Sequence, residues 1–188
     1  AAAKAEQLER YGAQLNVADA NKVTGYIKSM DIFKDVKTIP EAEAKENGLI
    51  CMIGDDIRAK YLEEILACRK NPSVAEDTAK EIKIVYTPFH GTGLIPVSEV
   101  LEAAGYKNLY VVEQQAQPDP DFSTVKSPNP EDKEGFQLAI ELAEKVGADV
   151  VLGTDPDADR IGVLVKNADG GYEVLTGNQM GVLLTDYI

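Results

Sequence analysis

Apolar residues follow two rhythms along this chain. Short β-branched or aromatic runs, Ile82-Lys83-Ile84-Val85-Tyr86, Leu109-Tyr110-Val111-Val112 and Val150-Val151-Leu152, alternate with stretches whose apolar positions recur every three or four residues. The runs read as strands. The intervals read as helices over 94–104, closed by Gly105, and 131–146, closed by Gly147, glycine being common just past a helix end. Strict β-α-β-α-β alternation predicts an α/β fold of three layers, with helices on both faces of a predominantly parallel sheet. Two further runs, over 161–165 and 172–175, flank Asn167-Ala168-Asp169-Gly170-Gly171 and predict a hairpin, which makes the sheet mixed. Upstream, the pattern predicts a helix over 21–30, a connector over 34–40 and a strand over 49–53. A helix then runs from Asp55-Asp56 to about Lys70, with Ile57, Tyr61, Leu62, Ile65 and Leu66 along one face.

Length and charge narrow the class. The 188 residues suffice for one good core with pieces of neighbouring domains attached. Acidic residues outnumber basic ones 32 to 19, for a net charge of −13, and no Lys/Arg cluster interrupts them. That argues against nucleic acid and anionic membrane as partners. An anionic small substrate stays open, because a few local cations and N–H groups can override the global sign. No run has transmembrane length and no basic-apolar leader opens the chain, so a cytoplasmic protein is expected. Cys51 and Cys68 form no Cys-x-x-Cys pair and are expected to be free thiols packed in the core. With no initial Met and an amphipathic helix running to the last residue, both ends are expected to be cut from something longer.

The densest chemistry follows the strand at 150–152, in Gly153-Thr154-Asp155-Pro156-Asp157-Ala158-Asp159-Arg160. Three carboxylates at alternating positions repel one another, and a hard cation with oxygen ligands relieves that repulsion, which points to magnesium. The carboxyl end of a parallel strand is also where α/β folds place their ligands. An EF-hand is excluded, since its sixth and twelfth positions need Gly and Glu and here hold Arg160 and Lys166. A phosphatase with an Asp nucleophile usually carries Thr or Val in the position of Asp159.

Two other loops carry candidate residues. Thr87-Pro88-Phe89-His90-Gly91-Thr92-Gly93 joins a strand to a helix and reads either as an anion-binding loop or as a tight structural turn. His90 in it reads as an acid/base or, by preference, as a hydrogen-bonding scaffold. The long irregular stretch through Pro118-Asp119 and Ser127-Pro128-Asn129-Pro130-Glu131 has the length of a functional connection. Ser127 has no base beside it in the sequence, so its surroundings read as a turn leading into a helix.

Taken in order, Thr87 to Gly93, Glu113-Gln114 with Pro118-Asp119, Phe122-Ser123-Thr124-Val125, Ser127 to Glu131, Gly153 to Arg160 and Gly177-Asn178-Gln179 resemble the α-D-phosphohexomutase family of phosphoglucomutases and phosphomannomutases. The wording is most similar to the bacterial phosphoglucomutase branch. The resemblance implies that residues 1–45 are the end of domain I and a connector, 46–176 are domain II, and 177–188 begin domain III. It further implies Asp155, Asp157 and Asp159 as magnesium ligands, with Arg160, His90 and Gly91 close to phosphate or substrate. The implied activity is interconversion of hexose 1-phosphate and hexose 6-phosphate through a phosphoserine and a bisphosphate such as glucose 1,6-bisphosphate. No Thr-Ala-Ser-His-Asn-Pro type serine loop is present, nor the sugar loop of domain III or the phosphate loop of domain IV. No catalytic residue is therefore assigned within this chain, which is expected to be inactive without domains I, III and IV. The rival readings are an aspartyl-phosphate phosphotransferase and a non-enzymatic cation- or subunit-binding module.

Overall fold

Strands β1 (Lys83–Thr87), β2 (Asn108–Val111), β3 (Val150–Thr154), β4 (Ile161–Lys166) and β5 (Tyr172–Leu175) form one sheet in the order β2-β1-β3-β4-β5. The computed structural model describes residues 15–188, so the expectations for residues 1–10 and for Tyr11-Gly12-Ala13-Gln14 concern residues outside that range. The chain divides into two compact units, residues 1–52 and 53–188.

In the first unit, helix α1 (Val17–Ser29) starts four residues before the expected helix. The Asn16 side chain caps it by accepting the Asp19 N–H at 3.0 Å. A short helix α2 (Glu41–Glu46) follows Pro40. The strand expected over 49–53 does not form. Gly48 takes a left-handed turn, and the N–H groups of Leu49 and Ile50 are drawn back to the Ala44 carbonyl as a cap on α2. Cys51 is consequently exposed, as is Cys68, so neither is a core thiol.

The second unit opens with α3 (Asp55–Ala67), which holds Asp55 and Asp56 in its first turn. Leu62, Ile65 and Leu66 are half-buried, whereas Ile57 and Tyr61 on the expected face are exposed. Helix α4 (Pro72–Glu81) places Pro72 at its first position and leads into β1. The Asn108 amide of β2 donates to the Lys80 carbonyl at 2.9 Å and ties the end of α4 to the sheet.

From β1 the chain crosses through α5 (Leu94–Ala103) to β2, then through α6 (Gln137–Val146) to β3, all three strands running parallel. Because β2 and β3 lie on opposite sides of β1, right-handed crossovers send α5 and α6 to opposite faces. The antiparallel hairpin β4-β5 completes the sheet. One row across it, Tyr110, Val85, Val151, Leu164 and Val174, is set side by side by the register and packs with Ala139 and Ala143 of α6. The two alanines let α6 approach closely.

The helix expected over 131–146 starts late. Residues Lys133–Phe136 form a tight 3-10 turn, and α6 follows at Gln137. The cause is Phe136, whose fully buried ring meets Phe89 edge-to-face at 5.1 Å. A final helix, α7 (Gly177–Tyr187), starts with a capping box between Thr176 and Gln179. Among the described residues no helix is long and apolar enough to cross a membrane. Phe136 joins the loop after β1 to α6, so Phe136→Ala should lower the unfolding free energy by about 3–5 kcal/mol. Urea denaturation measures it, with Ile95→Ala at an exposed position of α5 staying within about 0.5 kcal/mol of the parent.

Candidate metal centre

β3 ends at Thr154, and the chain turns through Asp155 to Asp159 before β4 begins at Ile161. The Ala158 N–H closes the turn on the Asp155 carbonyl at 3.0 Å, with Ala158 at φ +58°. Asp155 points inward and is only 2% exposed, while Asp157 and Asp159 are exposed. Carboxylate oxygens of all three lie within 4.8 Å of one another. The turn thus gathers the three aspartates that the sequence singled out.

Arg160 holds the buried member. Its backbone N–H donates to Asp155 Oδ1 at 3.0 Å, and its Nε donates to Oδ2 at 2.7 Å. Burial pushes the Asp155 carboxyl up, but the hydrogen bonds and charge of Arg160 outweigh it, and the net displacement is below the usual carboxylate range. Asp159 moves the other way, raised by the charges of Asp157 and Asp155. The hydrogen bond to Asp155 raises Arg160 in turn. Oxygen-only donors, with repulsion at the exposed rim that Arg160, 3.8 Å from Asp159, relieves only in part, suit a hard divalent cation such as magnesium.

The loop after β1 braces this turn. The Thr92 N–H and hydroxyl both donate to the Pro156 carbonyl, at 2.8 and 3.1 Å. Gly91 sits so close that an added Cβ would lie 2.4 Å from Pro156 Cα. Beneath them Tyr86 and Thr154 share a hydrogen bond of 2.9 Å between their hydroxyls. Gly91 is therefore a packing contact of the aspartate turn.

His90 is 7% exposed, with both ring nitrogens engaged: Nδ1 donates to the Gln117 carbonyl at 2.8 Å, and Nε2 pairs with the Thr124 hydroxyl at 2.8 Å. Thr124 also accepts from the Gln115 amide at 3.2 Å, and the Gln115 oxygen accepts from Thr87 at 2.6 Å. These bonds make His90 a scaffold between β1 and the segment after β2. Sequence reasoning did not single out Thr92, Gln115, Thr124 or Asn129 as site residues. Asn129 Oδ1 accepts from Arg160 Nη1 at 3.2 Å, and only its place before a proline in a turn hinted at a defined geometry.

Residues 59–171 match the family model described as phosphoglucomutase/phosphomannomutase, alpha/beta/alpha domain II. A phosphoglucomutase of Staphylococcus epidermidis is 34% identical over 176 residues, and a phosphomannomutase of Mycoplasmoides pirum 37% over 179. Each alignment covers 94% of this chain and 31% of the relative, so the chain spans about a third of the length of these relatives. A solved chain from Thermus thermophilus, named after phosphomannomutase, aligns over 62% of this chain and 25% of its own at 20% identity, with a TM-score of 0.48.

The opposed displacements of Asp155 and Asp159 predict opposite effects on stability. A carboxyl lowered by folding contributes stability above its unfolded value, lost as pH falls through its folded value; Asp155 is of this kind. A carboxyl raised by folding favours the folded state only while protonated, so ionised Asp159 opposes folding at neutral pH. Asp159→Asn should therefore raise the melting temperature of the cation-free chain at pH 7, whereas Asp155→Asn lowers it. Thermal unfolding in EDTA reads both, and a lower melting temperature for Asp159→Asn would refute the repulsion.

Proposed function

Because the chain belongs to the phosphoglucomutase/phosphomannomutase family and carries its α/β/α domain II, we propose that it is the magnesium-binding domain of a phosphohexomutase. The complete enzyme would be an isomerase that interconverts hexose 1-phosphate and hexose 6-phosphate. The phosphoryl group would pass from a phosphoserine to one hexose hydroxyl and return from the other, with a hexose bisphosphate between. The observation that carries this reading is the convergence of Asp155, Asp157 and Asp159, with oxygens within 4.8 Å.

In this reading the three carboxylates hold the ion, and Arg160 offers its remaining N–H groups to the phosphoryl oxygens. Bound magnesium would supply Lewis-acid stabilisation of charge on the transferred group. Asp155 anchors the site from within while Asp157 and Asp159 face outward, where a phosphoserine and hexose phosphate from domains I, III and IV of the full enzyme would meet them. A cytoplasmic location goes with phosphorylated sugars as substrates.

The aspartyl-phosphate alternative is disfavoured by the surroundings of Asp155. Both Asp155 oxygens accept from Arg160, and covalent attack would withdraw the negative charge that holds this pairing, whereas coordination uses a remaining lone pair and keeps both hydrogen bonds. A non-enzymatic cation-binding module would share the aspartate turn, and activity of the complete enzyme separates the two.

A magnesium titration of the isotope-labelled chain, followed by NMR, should give saturable shifts centred on residues 153–160. Binding is expected to be weak without the phosphoserine oxygen, and Asp157→Asn should abolish it; unchanged affinity in that variant would remove Asp157 from the ligand set. Supplied with magnesium and glucose 1,6-bisphosphate, the chain alone should not convert glucose 1-phosphate to glucose 6-phosphate. Turnover by the pure chain would overturn the assignment of the catalytic serine to another domain.

A further inference from the structure

The segment that reaches Arg160 is itself anchored in the sheet. Pro130 is fully buried, and its carbonyl lies over Gly162 of β4, where an added Cβ would come within 2.1 Å of the oxygen. The Asp132 N–H closes the turn on the Asn129 carbonyl at 3.0 Å. Asn129 Oδ1 accepts the Glu131 N–H at 3.2 Å, which sets the amide in one orientation. The same oxygen accepts Arg160 Nη1 at 3.2 Å, and its two lone pairs allow both bonds at once. Arg160 is thus held at Nε by Asp155 and at Nη1 by Asn129, and Nη2 has no protein partner among the described residues.

We infer that Asn129 is a positioning residue that locks the Arg160 guanidinium with Nη2 presented to a phosphoryl oxyanion. The inference rests on the phosphoryl-transfer reading above. The Arg160 side chain is 52% exposed, and an exposed arginine loses considerable rotamer freedom when it meets an anion. A guanidinium fixed in advance avoids that loss at the moment of binding. The neutral acceptor matters as well. Asp155 at 2.7 Å and Asp159 at 3.8 Å already face the Arg160 Nε, and an amide oxygen orients the fork without adding a further negative charge against the incoming anion.

The test follows the Arg160 Nη1 amino group, the one that Asn129 holds, by 15N relaxation in the labelled chain, because Nε stays bonded to Asp155 in every Asn129 variant. The parent should show an order parameter near that of rigid backbone, about 0.8, falling below about 0.6 in Asn129→Ala. The melting temperature and the β3 and β4 amide shifts should be retained. Asn129→Asp, which keeps an acceptor at Oδ1, should restore the order. Should Asn129→Ala not fold, Asn129→Gln displaces the oxygen by one methylene and is expected to loosen Arg160 in the same way. A mobile Arg160 in the parent, or an Arg160 as ordered in Asn129→Ala as in the parent, overturns the inference. Magnesium titration of the same samples judges the metal reading separately: absence of saturable shifts in the parent counts against the three-aspartate site, whereas the locking by Asn129 is read from Arg160 alone.

Discussion

A carboxylate buried at the end of a β-strand must be paired, and the pairing of Asp155 with Arg160 shapes everything around it. Desolvating an unpaired carboxylate costs several kcal/mol or more, so the turn is stable only while Arg160 reaches both Asp155 oxygens. The backbone N–H and the guanidinium of one residue do both. That closes the six-residue loop between β3 and β4 and leaves Asp157 and Asp159 on its outer side. The site is therefore a by-product of satisfying one inward acid.

The sheet order places this turn where a second loop can support it. With β2 and β3 on opposite sides of β1, the chain leaves β1 and β3 in neighbouring positions, the crevice where open α/β sheets bind ligands. Thr92 and Gly91 of the first loop dock on Pro156 of the second. The first loop needs support of its own, since Phe89 and His90 both have positive φ, at 46° and 63°. The burial of Phe89 against Phe136 and the two hydrogen bonds of His90 hold them there. His90 serves the site by fixing a loop.

How much of this was legible in the sequence differs by region, for physical reasons. The alternation of strands and helices from Ile82 onward was readable because each element buries one face in a single core, and periodicity records burial. The aspartate turn was readable because its three charges sit within five residues. The strand expected over 49–53 failed because apolar composition alone cannot supply a ladder partner, and the local cap at Gly48 took the backbone donors instead. The late start of α6 was hidden because it depends on Phe136 finding Phe89, 47 positions earlier in the chain. Asn129 was missed for the same reason: its partner Arg160 is 31 residues away, and only the fold brings them together.

A metal site can be built in two ways. In one, the ion supplies the free energy that folds its ligands, as in small zinc domains. In this chain, protein contacts alone account for the turn: Arg160 answers Asp155, Thr92 answers the Pro156 carbonyl, and the Ala158 N–H closes the loop. What they leave unanswered is the repulsion that raises Asp159, which sits at the rim where a cation would arrive. Those contacts hold the shape of the turn, and a residual electrostatic cost stays at its outer carboxylates. A site arranged in this way binds by relieving local charge, so its affinity responds to any further oxygen or positive group brought to the same rim. In a chain of net charge −13, Arg160 is the positive group at that rim, and on the proposed reading its orientation would decide whether an anion joins the cation.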